Sequence, residues 1–426
     1  MKKKSLIPLL AAMVLIAAFS CKKEPANNNA APPKLSAALL TDPNFVAMSV
    51  AGVVAANNTQ LVSHVNSKSV NSTLTLPAKQ VLDSLAGPDA SNPSYYVFNY
   101  VGGGFAIVSA DKRVQPILAY SNDGYFKISG NLNGGLTNWL TVTDKNMRVV
   151  KSHRELKAPK ATTKMWATLL ASKASQANKT NANGLTVQQV VPDNPPCEEH
   201  TEVIGVDPLL QTTWNQTYPY NALCPAGSFS NGHTPTGCVA TAMAQVMYYW
   251  QYPTSYSWSS MPLNAPSYSY YPALAQLMVD AGTAVNMVYN DAGSHPYHDW
   301  FNPPTSPADG LTNHLGYSSG INSSYSDGDF PTIMANLNNH WPVIFAGATS
   351  AMGHAWVCDG YNEYFFYTCA SPTSNPDVYA VLLFHMNWGW GGASNGYYNY
   401  NSWNVLNGST YEYFQYDREM NYNIHP

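Results

Sequence analysis

The first third of the chain carries short apolar runs whose spacing predicts β-strands. Residues 95–101 and 105–108 are rich in aromatic and β-branched side chains, and three consecutive glycines separate them, as in a hairpin. A third strand is predicted from Val114 to Tyr120, where the turn residues 121–124 close it. From Leu136 to about Lys157 apolar residues recur at helical spacing between basic ones, which predicts a helix with an exposed cationic face.

A second set of patterns follows residue 200, where strands, long loops and few helices are predicted. Apolar residues recur at helical spacing from Val239 to Trp250, and Pro253 ends the pattern. One strand is predicted to begin at His354. Another runs into Asn387, after which the glycine-rich segment 389–392 predicts a turn.

The N-terminus has the pattern of an export signal. Three lysines at positions 2–4 precede the apolar run from Leu6 to Phe19, and small residues precede Cys21. Residues 1–20 are therefore predicted to be a removable signal peptide, and residues 21–34, rich in Asn, Ala and Pro, a flexible tether. Residues 18–21 resemble the lipobox of bacterial lipoproteins, which makes Cys21 a candidate for a lipid anchor. The alternative is an ordinary secretory signal with an incidental cysteine.

Composition argues against two broad classes of protein. Of the 426 residues 45% are hydrophobic, 12% aromatic and only 11% charged, which is too aromatic for a disordered chain. The one long apolar run is shorter than the ~20 residues that a membrane-spanning helix needs, so a polytopic membrane protein is excluded as well. The length predicts two or three domains.

Charge is distributed unevenly along the chain. Residues 1–200 carry a net charge of +9, whereas residues 201–426 contain one basic residue, Arg418, and 14 acidic ones. This argues against nucleic-acid binding by the C-terminal half, because phosphate neutralisation requires cations. Residues 143–179 contain nine basic and two acidic residues. We expect this segment to dock electrostatically on the acidic half, although a solvated face and tail is the general alternative.

The cysteine count is informative because an exported protein meets an oxidising compartment. Once Cys21 is set aside, five cysteines remain, at positions 197, 224, 238, 358 and 369. The pairs closest in sequence are Cys197 with Cys224 and Cys358 with Cys369, which leave Cys238 as the free thiol. The odd number does not decide which cysteine is left over, so other pairings stay open.

Cys238 is the first candidate catalytic residue. The helical pattern places it at a helix N-terminus, where unsatisfied N–H groups and the helix dipole favour a thiolate. Since no Lys or Arg lies nearby in sequence, a histidinium must supply the cation. The alternative is a buried structural cysteine on a core helix.

His354 and Asn387 are candidate partners of that thiolate. An Asn side-chain oxygen can accept the imidazole Nδ1–H and fix the tautomer, while Trp388 keeps water from that hydrogen bond. Taken singly, either residue is more often structural. In combination, the order Cys, His, Asn is that of papain-like cysteine peptidases.

Four ordered motifs extend this pattern. They are Trp214-Asn215-Gln216 with Pro219-Tyr220-Asn221, Thr236-Gly237-Cys238-Val239-Ala240-Thr241-Ala242, Gly353-His354-Ala355, and Asn387-Trp388-Gly389-Trp390-Gly391-Gly392. In these motifs the sequence resembles the streptopain family of secreted bacterial cysteine peptidases. The resemblance implies that Cys238 is the nucleophile, His354 the general base and Gln216 an oxyanion-hole donor, while Asn387 and Trp388 orient and shield the histidine.

The resemblance also implies a zymogen, because residues 96–98 and 104–111 are similar to the family's inhibitory propeptide. The implied fold is α+β: a papain-like catalytic domain over residues 197–426, with two subdomains built from a helix and an antiparallel sheet, preceded by a smaller α+β inhibitory prodomain over residues 35–157. Residues 158–196 are predicted to be a linker with the activation cleavage. The chain departs from the family pattern between Asp359 and His385 and after Asn401, which leaves substrate preference open.

The function implied by the resemblance is hydrolysis of peptide bonds in proteins by an exported cysteine endopeptidase, through an acyl-enzyme, after removal of the prodomain. Its partners are protein or peptide substrates and its own prodomain. No cofactor or metal is expected, and His233 and His385 are interpreted as structural, because no cluster has convincing ligand spacing. The alternatives are a cell-wall amidase or transglutaminase with the same residues, and a non-catalytic surface protein on a peptidase scaffold.

The distribution of basic residues points to a route of activation. Between Lys179 and Arg418 the chain has neither Lys nor Arg, whereas the prodomain and linker have many. We therefore expect that an Arg/Lys-specific protease can remove the prodomain and leave the catalytic domain intact.

Overall fold

The computed structural model describes residues 35, 37–58, 78–127, 134–171, 200–297, 305–348, 353–369, 376–399 and 416–426. The predicted signal peptide and tether, and with them Cys21, lie outside these ranges, as does Cys197. Within the described ranges, none of the helices combines the length and apolar character needed to cross a bilayer.

The described residues before 172 form helices and an antiparallel sheet. The helices are α1 (Ala37–Leu40), α2 (Met48–Asn57), α3 (Gly134–Ser152) and α4 (Lys160–Leu170), and the strands are β1 (Val81–Gly87), β2 (Tyr95–Tyr100), β3 (Phe105–Ser109) and β4 (Ile117–Ser121). The predicted hairpin is confirmed, since β2 pairs with β3. Its turn needs glycine because residues 102, 103 and 104 all have positive φ.

Helix α4 corrects the start of the predicted linker. Met165, Trp166 and Leu169 lie on one face of this helix and are buried in a cluster that includes residues of α2. The Trp166 Nε1–H donates a hydrogen bond to the Val114 carbonyl oxygen at 2.9 Å. The Ala-, Thr- and Lys-rich composition around these three side chains concealed the apolar stripe. The folded prodomain therefore extends beyond residue 157.

The residues from 200 onward form the second part of the fold. Its helices are α5 (Cys238–Trp250), α6 (Pro272–Ala284), α7 (Pro307–His314) and α8 (Phe330–Asn338). Its strands are β5 (His200–Val206), β6 (Ala226–Ser230), β7 (Met287–Val288), β8 (His295–Pro296), β9 (Ser319–Ser324), β10 (Val343–Ala348), β11 (Gly353–Thr368), β12 (Asp377–Asn387), β13 (Gly396–Asn399) and β14 (Tyr416–His425). The two halves of a papain-like domain are recognisable here. Helices α5, α6 and α7 share one buried cluster, and a separate cluster lines β10, β11 and β12.

A sheet of eleven described strands continues from the prodomain into the catalytic domain. Its order is β1-β2-β3-β4-β13-β12-β11-β10-β14-β9, and β5 also pairs with β11. The junction is the antiparallel pair β4–β13, in which Tyr120 lies opposite Tyr397 and Ala119 opposite Tyr398. The prodomain thus covers a strand edge of the catalytic domain.

Buried aromatic side chains join the two domains at this junction. The Tyr120 ring stacks on Tyr397 with 5.1 Å between centroids, and Trp139 packs edge-on against Tyr398 at 5.0 Å. The Tyr120 hydroxyl lies 2.9 Å from the hydroxyl of Tyr364. The contact is therefore mainly apolar, with buried hydrogen bonds.

Electrostatic attraction between the basic and acidic halves contributes less to the contact between the domains than the sequence predicted. Among the described residues, one ion pair of this kind joins the prodomain to the catalytic domain, between Lys160 Nζ and Asp377 Oδ2 at 3.6 Å. Both side chains are largely exposed, so the pair contributes little. Because α3 and α4 bury their apolar faces, their basic residues are left largely on the outer surface.

The two cysteine pairings closest in sequence are wrong. Cys224 and Cys358 are free and buried, while Cys238 is free as expected. Cys369 is disulfide-bonded, and its partner lies outside the described residues. Cys358 lies within strand β11 and Cys369 just beyond its end, so the extended backbone holds them about 35 Å apart.

Candidate active site

Cys238 is the first residue of helix α5, as predicted. The Gly237 before it has a φ of 88°, and a Cβ there would lie 2.9 Å from the Ser294 carbonyl oxygen, so this approach to the helix requires glycine. The backbone N–H groups of Cys238 and Val239 lower the pKa of the thiol, as does the N–H of Ala355. Burial among neighbouring atoms outweighs them and raises the pKa overall, although the residue as a whole is only partly buried, so the neutral thiol is favoured in this state.

His354 lies at the start of β11, opposite Gly347 of β10. Its side chain is buried, with 6% exposure, and burial lowers its pKa to about 4. The Nε2 atom lies 3.1 Å from the Trp388 carbonyl oxygen. A carbonyl can only accept, so Nε2 carries the proton and Nδ1 is the basic nitrogen of the neutral ring.

Ala355 connects the start of β11 with Cys238. Its backbone N–H approaches the Cys238 thiol closely enough to lower the pKa of that group, and it is the next residue after His354. Strand β11 therefore begins close to the N-terminus of α5, and the catalytic pairing of Cys238 with His354 stays a prediction.

Asn387 ends strand β12 and has hydrogen-bond partners other than those predicted. Its Oδ1 accepts from the Gly389 N–H at 3.2 Å and from Gln245 Nε2 at 3.3 Å, while its Nδ2 donates to the Thr212 carbonyl oxygen at 2.8 Å. The expected hydrogen bond from the imidazole to Asn387 Oδ1 is replaced by the one to the Trp388 carbonyl. The bonded ring nitrogen is also Nε2 rather than Nδ1.

Trp388 supports that carbonyl through its own contacts. The side chain is buried, its Nε1–H donates to the Ser394 carbonyl oxygen at 3.0 Å, and its backbone N–H donates to Asn395 Oδ1 at 3.0 Å. The indole also packs against Trp356, with 5.3 Å between ring centroids. The Trp356 ring also lies 6.0 Å from the His354 ring, so aromatic side chains flank the hydrogen bond between His354 and Trp388, and the shielding role of Trp388 stays a prediction.

Gln216 is half-buried, in a loop tied to both neighbouring segments. Its carbonyl oxygen accepts from the Thr236 N–H at 3.3 Å, two residues before Cys238. The carbonyl oxygen of Trp214, in the same loop, accepts from the Gly391 N–H at 2.9 Å. The loop that carries Gln216 is therefore held between the start of α5 and the glycine-rich turn.

Gln245 and Ser394 also contact the candidate site, although neither was among the residues predicted from the sequence. Gln245 is fully buried and lies seven residues after Cys238, on the same face of α5; a polar residue within an apolar stripe was the available signal. Ser394 has a φ of 62°, which no sequence pattern indicated. His385, interpreted as structural, places Nδ1 2.6 Å from Asp359 Oδ1 in a buried pair. The described residues contain no cluster of three or more potential metal ligands.

The prodomain contacts the same turn that holds Trp388. The Ser394 N–H donates to the Tyr125 carbonyl oxygen at 3.2 Å, and the Lys127 N–H donates to Ser394 Oγ at 3.3 Å. The Lys127 ammonium lies 6.0 Å from the centre of the Trp390 ring, and that ring meets His354 edge-on at 6.4 Å. Residues 125–127 therefore cover one side of the site.

Comparison with known families matches both domains. The model of the Peptidase C10 family matches residues 214–255 and 254–398, and that of the Spi protease inhibitor matches residues 45–147. The chain belongs to the Peptidase C10 family. The matched ranges contain Cys238, His354 and Asn387, and the inhibitor match confirms the predicted relation of the N-terminal domain to an inhibitory propeptide.

Individual relatives agree with this assignment. The thiol protease/hemagglutinin PrtT of Porphyromonas gingivalis is 29% identical over 340 residues, covering 71% of this chain and 33% of PrtT. Streptopain of Streptococcus pyogenes is 26% identical over 374 residues, covering 75% of this chain and 76% of streptopain. The chain thus spans about a third of the length of PrtT and about three quarters of streptopain.

A solved structure supports the fold. A cysteine-to-alanine variant of a prointerpain A fragment from Prevotella intermedia superposes with a TM-score of 0.53 at 26% identity. The match covers 82% of this chain and 98% of the fragment. The predicted α+β fold, a papain-like domain with a prodomain, is confirmed.

Proposed function

We propose that this chain is the zymogen of an exported cysteine endopeptidase that hydrolyses peptide bonds in proteins through Cys238 and His354. The observation that carries the proposal is the meeting of the α5 N-terminus with the start of β11. The thiol lies among three backbone N–H groups, and the residue after His354 supplies one of them. Family membership and the names of the relatives agree with this chemistry.

The proposed mechanism begins with proton transfer from the Cys238 thiol to His354 Nδ1. The Nε2–H remains bonded to the Trp388 carbonyl oxygen, which stabilises the imidazolium and holds the plane of the ring. The thiolate then attacks the substrate carbonyl carbon and forms a C–S bond. The peptide C–N bond breaks as the imidazolium protonates the leaving amine, and water attacks the acyl-enzyme to return the free thiol.

The developing oxyanion needs donors beside Cys238. The backbone N–H of Cys238 at the helix start is one, and the Gln216 amide, in the loop tied to Thr236, is the proposed second. Loss of one such donor costs about 2.7–4 kcal/mol of barrier in other hydrolases. Asn387 is proposed to hold the Trp388 turn through its hydrogen bond from the Gly389 N–H.

The prodomain is proposed to keep this pair neutral. Burial raises the pKa of Cys238 and lowers that of His354 to about 4, so both groups disfavour the charged state that catalysis requires. Residues 125–127 of the prodomain contact Ser394 and cover Trp390. Their removal would hydrate this side of the site and let the thiolate–imidazolium pair form.

Cellular location is part of the proposal. The signal-like N-terminus supports export to the bacterial cell envelope or the medium, and Cys21 is the proposed site of lipid attachment. The test is the mass of the mature N-terminal peptide, in which a diacylglycerol-modified Cys21 is expected. Cleavage at another bond, with no lipid, would contradict the anchor and leave the catalytic proposal unaffected.

The catalytic proposal is tested with Cys238→Ala. The processed wild-type protein should hydrolyse casein, and the variant should lose that activity while keeping its melting temperature. Cys224→Ala is the matched control, because Cys224 is another free cysteine of the same domain and should be dispensable. Hydrolysis of peptidoglycan without hydrolysis of casein would favour the amidase alternative.

A further inference from the structure

Gln245 connects three segments of the candidate site from a fully buried position. It lies on helix α5, two turns after Cys238. Its Oε1 accepts from the Thr212 hydroxyl at 3.1 Å and from the Trp214 N–H at 3.3 Å. Its Nε2 donates to Asn387 Oδ1 at 3.3 Å.

The orientation of both amide side chains follows from backbone groups. The Trp214 N–H can only donate, so the Gln245 oxygen must face it and the Gln245 amino group must face Asn387. The same reasoning orients Asn387. Its Oδ1 must face the Gly389 N–H, which can only donate, and its Nδ2 must face the Thr212 carbonyl oxygen, which can only accept. Every donor in this chain of hydrogen bonds therefore faces an acceptor, and the orientation of both amide groups is fixed.

These contacts link two segments of the candidate site to helix α5. The segment 212–216 carries the proposed oxyanion donor Gln216. The segment from Asn387 to Gly389 presents the carbonyl that binds His354. The first is a loop and the second follows from the end of β12, whereas Gln245 belongs to the same helix as Cys238. A single buried side chain thereby sets the position of both segments relative to the nucleophile.

We propose that Gln245 is a positioning residue for peptide hydrolysis. It holds the oxyanion loop and the Asn387 turn in register with Cys238, without touching the substrate. This inference rests on the proposed function, because it assigns a role within the same catalytic site. Exact placement of reacting groups lowers the barrier rather than strengthening substrate binding. The consequence is an effect on kcat, with KM nearly unchanged.

The test is Gln245→Met, which keeps the length of the side chain and removes its polar atoms. The processed variant is titrated with E-64 so that kcat is expressed per reactive Cys238. We expect kcat for a peptide substrate to fall about 10-fold to 100-fold, with KM within about 2-fold of wild type. Thr212→Val removes only the hydroxyl donor to Gln245 and should lower kcat about 2-fold to 5-fold. This milder variant provides the test if Gln245→Met does not fold.

Asn421→Leu is the matched control. Asn421 is equally buried and makes two hydrogen bonds in the same domain, accepting from the Ala308 N–H and donating to the Ile344 carbonyl oxygen. It should lower the melting temperature as much as Gln245→Met does, with kcat unchanged. If both test variants keep wild-type kcat per titrated site, Gln245 has only a structural role. Failure of E-64 to label wild-type Cys238 would instead overturn the proposed function itself.

Discussion

The Nε2–H of His354 donates a hydrogen bond to the backbone carbonyl oxygen of Trp388, with 3.1 Å between the two heavy atoms. This contact fixes the tautomer of the ring and leaves Nδ1 as the nitrogen without a proton. It also makes the backbone of the turn after β12, rather than an Asn side chain, the direct partner of the imidazole.

The first prediction concerns the reactivity of Cys238 before and after processing. Burial raises the pKa of this thiol above its ordinary value of 9.0, so the unprocessed chain should react with iodoacetamide slowly at pH 7 and faster only in alkali. After prodomain removal, a thiolate paired with imidazolium should react at least about 10-fold faster at pH 7. Alkylation is followed by mass spectrometry of the Cys238 peptide. Superimposable pH profiles of the two forms would contradict the proposed neutralisation.

The second prediction concerns acid. Burial lowers the pKa of His354 from 6.5 to about 4, so between these values the unfolded chain binds more protons than the folded one. Stability is therefore fully present above pH 6.5 and is lost as the pH falls towards 4. Between pH 7.5 and 5 the loss attributable to His354 is about 2 kcal/mol.

The measurement is urea unfolding of full-length Cys238→Ala, which lacks the proposed nucleophile, at both pH values. His354→Gln in the same background should reduce the difference between the two free energies of unfolding. An equal loss in both proteins would show that other groups account for the acid sensitivity.

The third prediction concerns the junction between the domains. The Tyr120 hydroxyl accepts from Asn362 Nδ2 at 2.7 Å and lies 2.9 Å from the Tyr364 hydroxyl. Tyr120→Phe leaves these buried groups unpaired, at a cost of about 1–3 kcal/mol. The prodomain should then dissociate more often, and E-64 should label the unprocessed chain about 5-fold faster or more.

Tyr317→Phe is the control for the junction variant, because its hydroxyl donates to the Tyr252 carbonyl oxygen within the catalytic domain. It should leave the labelling rate unchanged. Equal acceleration by both variants would indicate general loosening of the fold, and no acceleration by Tyr120→Phe would show that the junction does not limit access to Cys238.

The fourth prediction uses the absence of Lys and Arg between Lys179 and Arg418. Limited trypsinolysis of the unprocessed chain should remove the prodomain and leave one large fragment that begins after Lys179 or an earlier basic residue. Casein hydrolysis should appear together with that fragment. Mass spectrometry identifies its ends. Trypsin treatment that cuts the catalytic domain into small pieces, or leaves an inactive fragment of this size, would contradict activation by this route.

The sequence predicted those parts of the site that depend on local patterns. The helix that starts at Cys238 and the strand that starts at His354 follow from apolar periodicity and adjacent glycines, and the hairpin of β2 and β3 follows from three glycines. The partner of His354 was mispredicted because the choice between the Asn387 side chain and the Trp388 backbone depends on the path of a turn. That path is set by contacts with Thr212 and Gln245, which are distant in sequence.

Two other features required three-dimensional packing. The apolar stripe of α4 consists of only three buried residues, Met165, Trp166 and Leu169. It can be recognised as a buried helix face only once its packing against α2 is known. The edge-to-edge joining of β4 and β13 could not be predicted either, because strand patterns do not specify a partner. The uneven charge of the two halves led to the prediction of electrostatic docking, but the contacts between β4 and β13 are mainly those of buried aromatic side chains such as Tyr120.

The most direct test is mass spectrometry of the processed protein after reaction with E-64, performed alongside casein hydrolysis. The account predicts one added inhibitor molecule, located on Cys238, and complete loss of hydrolysis in proportion to labelling. Continued hydrolysis after Cys238 is fully labelled, or inactivation with the label on Cys224 or Cys358 instead, would contradict the assignment of Cys238 as the nucleophile.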